Sequence, residues 1–361
     1  MKITFLLPLS AHAPIGGFKV VFEYANELVK LGHEVCIVDA TFVRTDKDIS
    51  KARLLRHRAN FVVRAITGSW RPKSWFQLNP RVEMIWIPEL AEKRVPDADA
   101  IFATSWSTAE RAVSFSGAKG RKFYFIQHYE TWDGPEDRVR ATWRMPFEKI
   151  VISKWLQQIA FEMNEQCHYI PNGLDFNKFG MDVRPQDRES NSVGMLFHDA
   201  DWKGSNDGLN ALFSLKPDFP DLSVTLFGVP PAPHGLPAWV EYFQTPSQKK
   251  LRAIYNDAAI FVSPSWAEGW PLPPAEAMSC GCALVCTDIG GHREYAVQGQ
   301  TALLSPPKNP AELAENVRKL LMDPASRIEM AIRGNRFVGQ FTWKRAASEM
   351  NRILNQVMSG P

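Results

Sequence analysis

Apolar and polar positions along the chain fall into two rhythms that alternate in order. Ile3-Thr-Phe-Leu-Leu-Pro-Leu9 is a short apolar run. Gly16-Gly17 follows, and Phe18, Val21, Phe22, Ala25, Leu28 and Val29 then keep the three- and four-residue spacing of a helix face until Gly32 ends it. With Glu34-Val-Cys-Ile-Val38 this makes strand, glycine turn, helix, strand: one βαβ unit. Ala100-Ile-Phe-Ala-Thr104, Lys122-Phe-Tyr-Phe-Ile-Gln-His128 and Ile150-Val-Ile-Ser153 read as further strands, each closing on polar residues as a doubly wound sheet does at its carboxyl edge. Ser153 sits where a cap for the next helix belongs. Asn172-Gly-Leu-Asp175 is a turn signal and the expected interdomain crossing. Beyond it the pattern restarts, with strands near 193–197, 223–227, 259–263 and 283–287 and helices between. The expected fold is α/β: two Rossmann-like domains facing across a cleft that holds the ligand.

The densest chemistry lies in Ser263-Pro-Ser-Trp-Ala-Glu268-Gly-Trp-Pro-Leu-Pro-Pro-Ala-Glu276-Ala-Met-Ser-Cys-Gly281, where two carboxylates flank a Gly/Pro-rich turn that opens a helix. Pro273 and Pro274 fit the first helical turn, so Glu276 is expected in that turn, beside backbone N–H groups and a positive dipole end that favour a diphosphate. Glu268 is expected to face a hydroxylated sugar. Taken singly, Glu276 serves its own helix dipole equally well, and Glu268 serves equally well as a solvated loop acid.

The whole string resembles the Glu-x7-Glu motif of family 4 glycosyltransferases. The likeness extends to the Gly16-Gly17 loop, Gly32-His33-Glu34-Val35, Pro171-Asn-Gly-Leu-Asp175, Lys203-Gly204, Ile289-Gly-Gly-His-Arg-Glu294 and the ending Phe341-Thr-Trp343. It implies the GT-B architecture: an acceptor-binding domain over 1–171, a sugar-nucleotide-binding domain over 172–340, and a helix over 341–361 returning to the first domain. It also implies a retaining hexosyl- or deoxyhexosyltransferase that moves sugar from a nucleoside-diphosphate sugar to a glycan or lipid-linked acceptor in bacterial surface polysaccharide synthesis. No further cofactor and no metal are expected.

Departure of the diphosphate builds negative charge, which cations and N–H donors must meet. Lys203 is the candidate cation, while Gly16 and Gly17 let backbone approach the ligand at the head of the first helix. Glu276 would accept from ribose hydroxyls and Glu268 from the donor sugar, within a loop that includes Gly269, Trp270 and Leu272. His128, at a strand end, matches the family's histidine near the sugar. The family's Gly-Arg-Leu is here Gly194-Met195-Leu196, so the phosphate-binding Arg is absent and His198 is the expected substitute donor. Pro271 replaces a glycine and removes one backbone N–H. Two other classes stay open: a nucleotide-sugar epimerase of the same architecture and a non-catalytic sugar-nucleotide-binding module.

Composition narrows the setting. The chain has 361 residues, 45% apolar and 22% charged, with net charge +3: ordinary globular material for two domains, with no strong field overall and no nucleic-acid partner. Residues 44–81 differ, carrying ten basic residues against Asp46 and Asp48 together with Trp70, Trp75, Phe61, Phe76 and aliphatic side chains. Two readings of this stretch remain, peripheral contact with an anionic membrane and a solvated basic face. Five cysteines argue for a reducing, cytoplasmic compartment, and Cys280, Cys282 and Cys286 read as core rather than metal ligands. Asp97-Ala-Asp99 and Asp199-Ala-Asp201 are discounted as metal sites. The run before Ala11-His-Ala13 imitates a signal peptide, but cleavage would delete the central strand of the first βαβ unit. No apolar run reaches transmembrane length.

Overall fold

The computed structural model describes residues 1–9, 14–45, 50–131 and 134–359. Ala11-His-Ala13 and the charges Asp46, Lys47 and Asp48 lie outside the described residues. The chain divides into two compact units, Met1–Asn172 with Trp343–Pro361, and Gly173–Thr342.

The first unit holds β1 (Lys2–Leu7), α1 (Gly16–Lys30), β2 (Glu34–Ala40), α2 (Lys51–Thr67), β3 (Glu83–Ile87), β4 (Ala100–Ala103), α3 (Trp106–Ala112), β5 (Arg121–Ile126), α4 (Glu136–Trp143), β6 (Glu148–Val151), α5 (Lys154–Glu162) and β7 (His168–Tyr169). All its strands pair in parallel in the order β3-β2-β1-β4-β5-β6-β7. The interior strands are almost unbroken apolar runs because helices cover both faces of a parallel sheet. Phe5, Phe102 and Phe123 stack across β1, β4 and β5 at 4.7 Å per pair. Gly32, at φ +92°, makes the left-handed exit from α1 that a side chain would resist. Ser153 occupies the cap position of α5, but its hydroxyl makes no cap bond, contrary to the expectation from sequence.

The closing helix, α11 (Trp343–Ser359), also belongs to this unit. Tyr24 of α1 meets Trp343 edge-on at 5.7 Å, and His33 Nε2 lies 2.9 Å from Asn351 Oδ1.

The second unit runs β8 (Ser192–Leu196), α6 (Ser205–Leu215), β9 (Ser223–Gly228), β10 (Val240–Gln244), α7 (Gln248–Asp257), β11 (Ile260–Ser263), α8 (Leu272–Ser279), β12 (Ala283–Thr287), β13 (Ala302–Ser305), α9 (Pro310–Met322) and α10 (Pro324–Val338). Its parallel order is β10-β9-β8-β11-β12-β13. Val193, Met195, Val262 and Val285 from the sheet pack with Leu212, Leu215, Val317 and Leu320 from the helices. From β8 the chain winds outward through β9 and β10, then returns to place β11 on the other side of β8. The loops after β8 and β11 therefore leave the sheet at its topological switch point, where doubly wound sheets bind ligands.

Among the described residues, no helix is long and apolar enough to cross a membrane.

Candidate active site

The loop after β8 ends in a tight 3-10 turn, Asp201–Lys203, that Gly204 terminates at φ +63°. A Cβ on Gly204 would stand 2.1 Å from the Pro264 carbonyl oxygen, so only glycine lets this loop lie against the one after β11. Trp266 bolts the two together: its backbone N–H donates to Trp202 O at 2.6 Å and its indole N–H to Asp207 Oδ2 at 2.7 Å. Lys203 Nζ is thereby held 2.7 Å from Glu268 Oε1, which also accepts from the Ser265 hydroxyl at 3.0 Å. The two side chains are only 24% and 13% exposed, so Lys203 is not the loosely solvated loop lysine its Lys-Gly setting suggests. An ion pair this sheltered is screened less by water and salt than a surface pair.

His198 lies in the same loop. Its Nδ1 accepts from Ala200 N–H at 2.9 Å, which leaves the proton of the neutral ring on Nε2 as a donor. Burial first, then the Lys203 ammonium, lower its pKa below the ordinary histidine range. Met195, where the family carries an arginine, is fully buried on β8 and packs against α6, where a Cβ at Gly208 would stand 2.3 Å from its sulfur.

The carboxyl side of β11 corrects two expectations. Helix α8 begins at Leu272, so Glu276 falls in the second turn, not the first. Pro271, Pro273 and Pro274 also carry no N–H, which strips the head of α8 of most donors an anion would need. Trp270 is 4% exposed, with its ring edge-on to Tyr295 at 5.0 Å and to Phe341 at 5.6 Å; its side chain builds core instead of facing a ligand. Gly269 and Leu272 are buried beside it. Glu276 is 4% exposed, and its Oε2 accepts from the Tyr255 hydroxyl at 3.3 Å. Burial, then the Glu276 charge, push that phenol well above its usual pKa.

Two supports escaped the sequence reading. His292 is wholly buried, donating from Nδ1 to Thr287 O at 2.8 Å and accepting at Nε2 from the Ser263 hydroxyl at 2.9 Å, so it ties the ends of β11 and β12 together. Burial holds its pKa down to about 4. Gly291 lets the same turn press on the carboxylate loop, since a Cβ there would meet Glu268 O at 2.5 Å. Their only trace in sequence is the Ile289–Glu294 string; Tyr255, on α7, has none.

In the first unit, Gly16 and Gly17 open α1, whose cap residue Ile15 offers no side-chain bond. Among the described residues, nothing lies within 4 Å of a Cβ built on Gly16, while the Gly17 carbonyl accepts from Gln127 Nε2 at 3.1 Å. His128 follows, its Nδ1 accepting from Glu130 N–H at 3.2 Å and its ring edge-on to Trp155 at 5.8 Å. The basic stretch is partly core: Trp70 and Phe76 are buried, and Trp75 packs on Phe22 at 5.6 Å. Asp97 and Asp99 precede β4, at the amino edge of the sheet, where Asp97 pairs with Lys119 at 2.7 Å and Asp99 accepts from Lys2 N–H at 2.7 Å. Among the described residues, no three His, Cys, Asp or Glu side chains gather as a metal site.

Two parallel-sheet α/β units, one with its charged residues at a switch point, define the GT-B class of architecture, and solved structures agree. A sucrose-phosphate synthase from Thermosynechococcus elongatus is 17% identical, with TM-score 0.73 over 99% of both chains. Anabaena HepE in complex with UDP-glucose is 16% identical, with TM-score 0.73 over 99% of this chain and 100% of that one. Residues 188–337 match the family model described as glycosyl transferases group 1, so this stretch is similar to that family. The alpha-maltose-1-phosphate synthase of Mycolicibacterium smegmatis is 34% identical over 115 residues, 30% of each chain. The O-antigen chain mannosyltransferase B of Escherichia coli is 31% identical over 111 residues, 31% of this chain and 29% of that one. The matched stretch thus spans under a third of the length of these curated relatives.

Proposed function

We propose that the protein is a retaining glycosyltransferase that moves a sugar from a nucleoside-diphosphate sugar to a hydroxyl of a glycan or lipid-linked acceptor in surface polysaccharide synthesis. One observation carries the reading: Lys203 Nζ and Glu268 Oε1 stand 2.7 Å apart, delivered from the two loops that flank the switch point of the second unit. As the bond from the anomeric carbon to the diphosphate breaks, the bonding pair leaves with the phosphate oxygen, and the Lys203 ammonium offsets the charge that builds there. Glu268 fixes Lys203 and accepts hydrogen bonds from the donor sugar, and His198 adds its Nε2 proton as a donor. Glu276, steadied by Tyr255, holds the ribose hydroxyls. The glycine head of α1 at Gly16 and the strand-end His128 are given a part in meeting the ligand, supported by a helix start without a side-chain cap and by His128 Nδ1 accepting from Glu130 N–H. No metal is given a part. The names of the relatives, an O-antigen mannosyltransferase among them, favour a surface-glycan role. Five free cysteines fit a reducing cytoplasm, and peripheral contact with an anionic membrane would bring a lipid-carried acceptor to the enzyme.

The test incubates the protein with UDP-, GDP- and dTDP-sugars and mixed acceptors. Expected is release of nucleoside diphosphate coupled to glycan formation from one donor series. Lys203→Ala is expected to lower kcat/KM by roughly 10² and to cost about 1 to 3 kcal/mol of stability, because the sheltered Glu268 carboxylate loses its ammonium partner. Epimerised donor without acceptor consumption, or binding without turnover, would replace this reading with one of its rivals.

A further inference from the structure

Helix α2 is unlike its neighbours. It buries no residue, whereas α1, α3, α4, α5 and α11 each bury two or more. It holds to the unit by a half-buried row, Leu54, His57, Phe61 and Arg64, with His57 stacked on Phe42 at 4.6 Å and Phe61 on Trp86 at 5.9 Å. On the opposite side Leu55, Ala59, Val62 and Ile66 follow one another at spacings of four, three and four, which the 3.6-residue turn places in a single stripe. Leu55 is 64%, Val62 51%, Ile66 81% and the adjoining Val63 58% exposed. The same turn sets Arg58 along one border of the stripe and Arg56 along the other. Between 51 and 67 the helix carries Lys51, Arg53, Arg56, Arg58 and Arg64 and no acid. Exposed Arg71 and Lys73 continue the charge past its end.

We infer that the outer face of α2 docks in the plane of an anionic lipid surface, with Leu55, Val62 and Ile66 entering the interface and the bordering arginines meeting headgroup phosphates. This names the face behind the peripheral contact in the proposed function and rests on that placement. Two features select lipid over a second copy of the chain. An aliphatic stripe bordered by arginines is the build of an interfacial helix, and five like charges on each copy would oppose face-to-face pairing. The 17 residues span about 25 Å, enough for several headgroups.

The experiment is cosedimentation with phosphatidylcholine vesicles, with and without phosphatidylglycerol, in the absence of sugars. The wild type should bind only the anionic vesicles and release them as salt rises. Two variants, Leu55→Ser/Val62→Ser/Ile66→Ser and Arg53→Ser/Arg56→Ser/Arg58→Ser, change exposed side chains only. Each should bind at least about tenfold more weakly, with melting temperature and transfer to a water-soluble acceptor kept. A wild type that ignores anionic vesicles overturns the inference, as does a serine-stripe variant that binds like the wild type, or light scattering that shows a dimer dispersed by the stripe substitutions. Sugar transfer without vesicle binding would overturn the docking face and spare the transferase; vesicle binding lost in both variants, with no transfer by the wild type, would do the reverse.

Discussion

At the residue scale, the candidate site depends on groups whose charge state burial decides. His292 stays neutral down to a pKa of about 4, against an ordinary 6.5. Between those values the unfolded chain takes up a proton that the native ring refuses, so stability falls as pH falls, by up to about 3 kcal/mol when complete. Denaturant unfolding at pH 7.5 and pH 4.5 checks this. His292→Gln is expected to be the less stable protein at pH 7.5, because it disturbs the bonds to Ser263 and Thr287, yet to lose less on acidification. Parallel losses in both proteins would show that another group governs the acid limb. Legibility at this scale was uneven. Lys203, Glu268 and Glu276 show themselves through motif spacing, but Trp270 does not reveal in sequence that its ring turns inward, because an aromatic beside a glycine suits a ligand wall and a core equally. Tyr255 is invisible for a different reason: what matters about it is a contact across 21 positions of sequence.

At the scale of elements, two loops are locked together by glycine. Gly204→Ala meets both a left-handed φ of +63° and a carbonyl at 2.1 Å, so the β8 and β11 loops must separate to admit the methyl. A stability loss of about 2 to 4 kcal/mol is expected, together with a fall in kcat/KM as Lys203 drifts from Glu268. Gly235→Ala is the control: its φ of +74° is similar, but among the described residues nothing lies within 4 Å of the new methyl, and about 1 kcal/mol is expected. Equal losses, measured by thermal and denaturant unfolding, would assign the effect to backbone strain and not to loop contact. The strands divide in a related way. The nine read from sequence are all interior to their sheets, and most are almost unbroken apolar runs. The four that escaped, β3, β7, β10 and β13, are the sheet edges. Their burial is mixed; in Val240–Gln244, where Glu241 and Gln244 face water, neither a continuous run nor strict alternation marks the strand.

At the scale of the whole molecule, the two units contribute different kinds of support. The family match at 188–337 lies inside the second unit, which carries Lys203, Glu268, His198 and Glu276. The first unit carries the glycine head of α1, His128, and a basic helix within a protein whose overall charge is only +3. Periodicity revealed the two-unit plan because each unit repeats strand and helix in order, and the motif string at 263–281 revealed the site because its residues are neighbours in sequence as well as in space. The central claim is that these parts transfer a sugar from a nucleotide with its anomeric configuration kept. Proton NMR of the anomeric signal during the first turnovers, with the accepted donor and acceptor, measures this directly. The account predicts a product whose new bond has the same configuration as the donor. An inverted anomer as the first-formed product would contradict it.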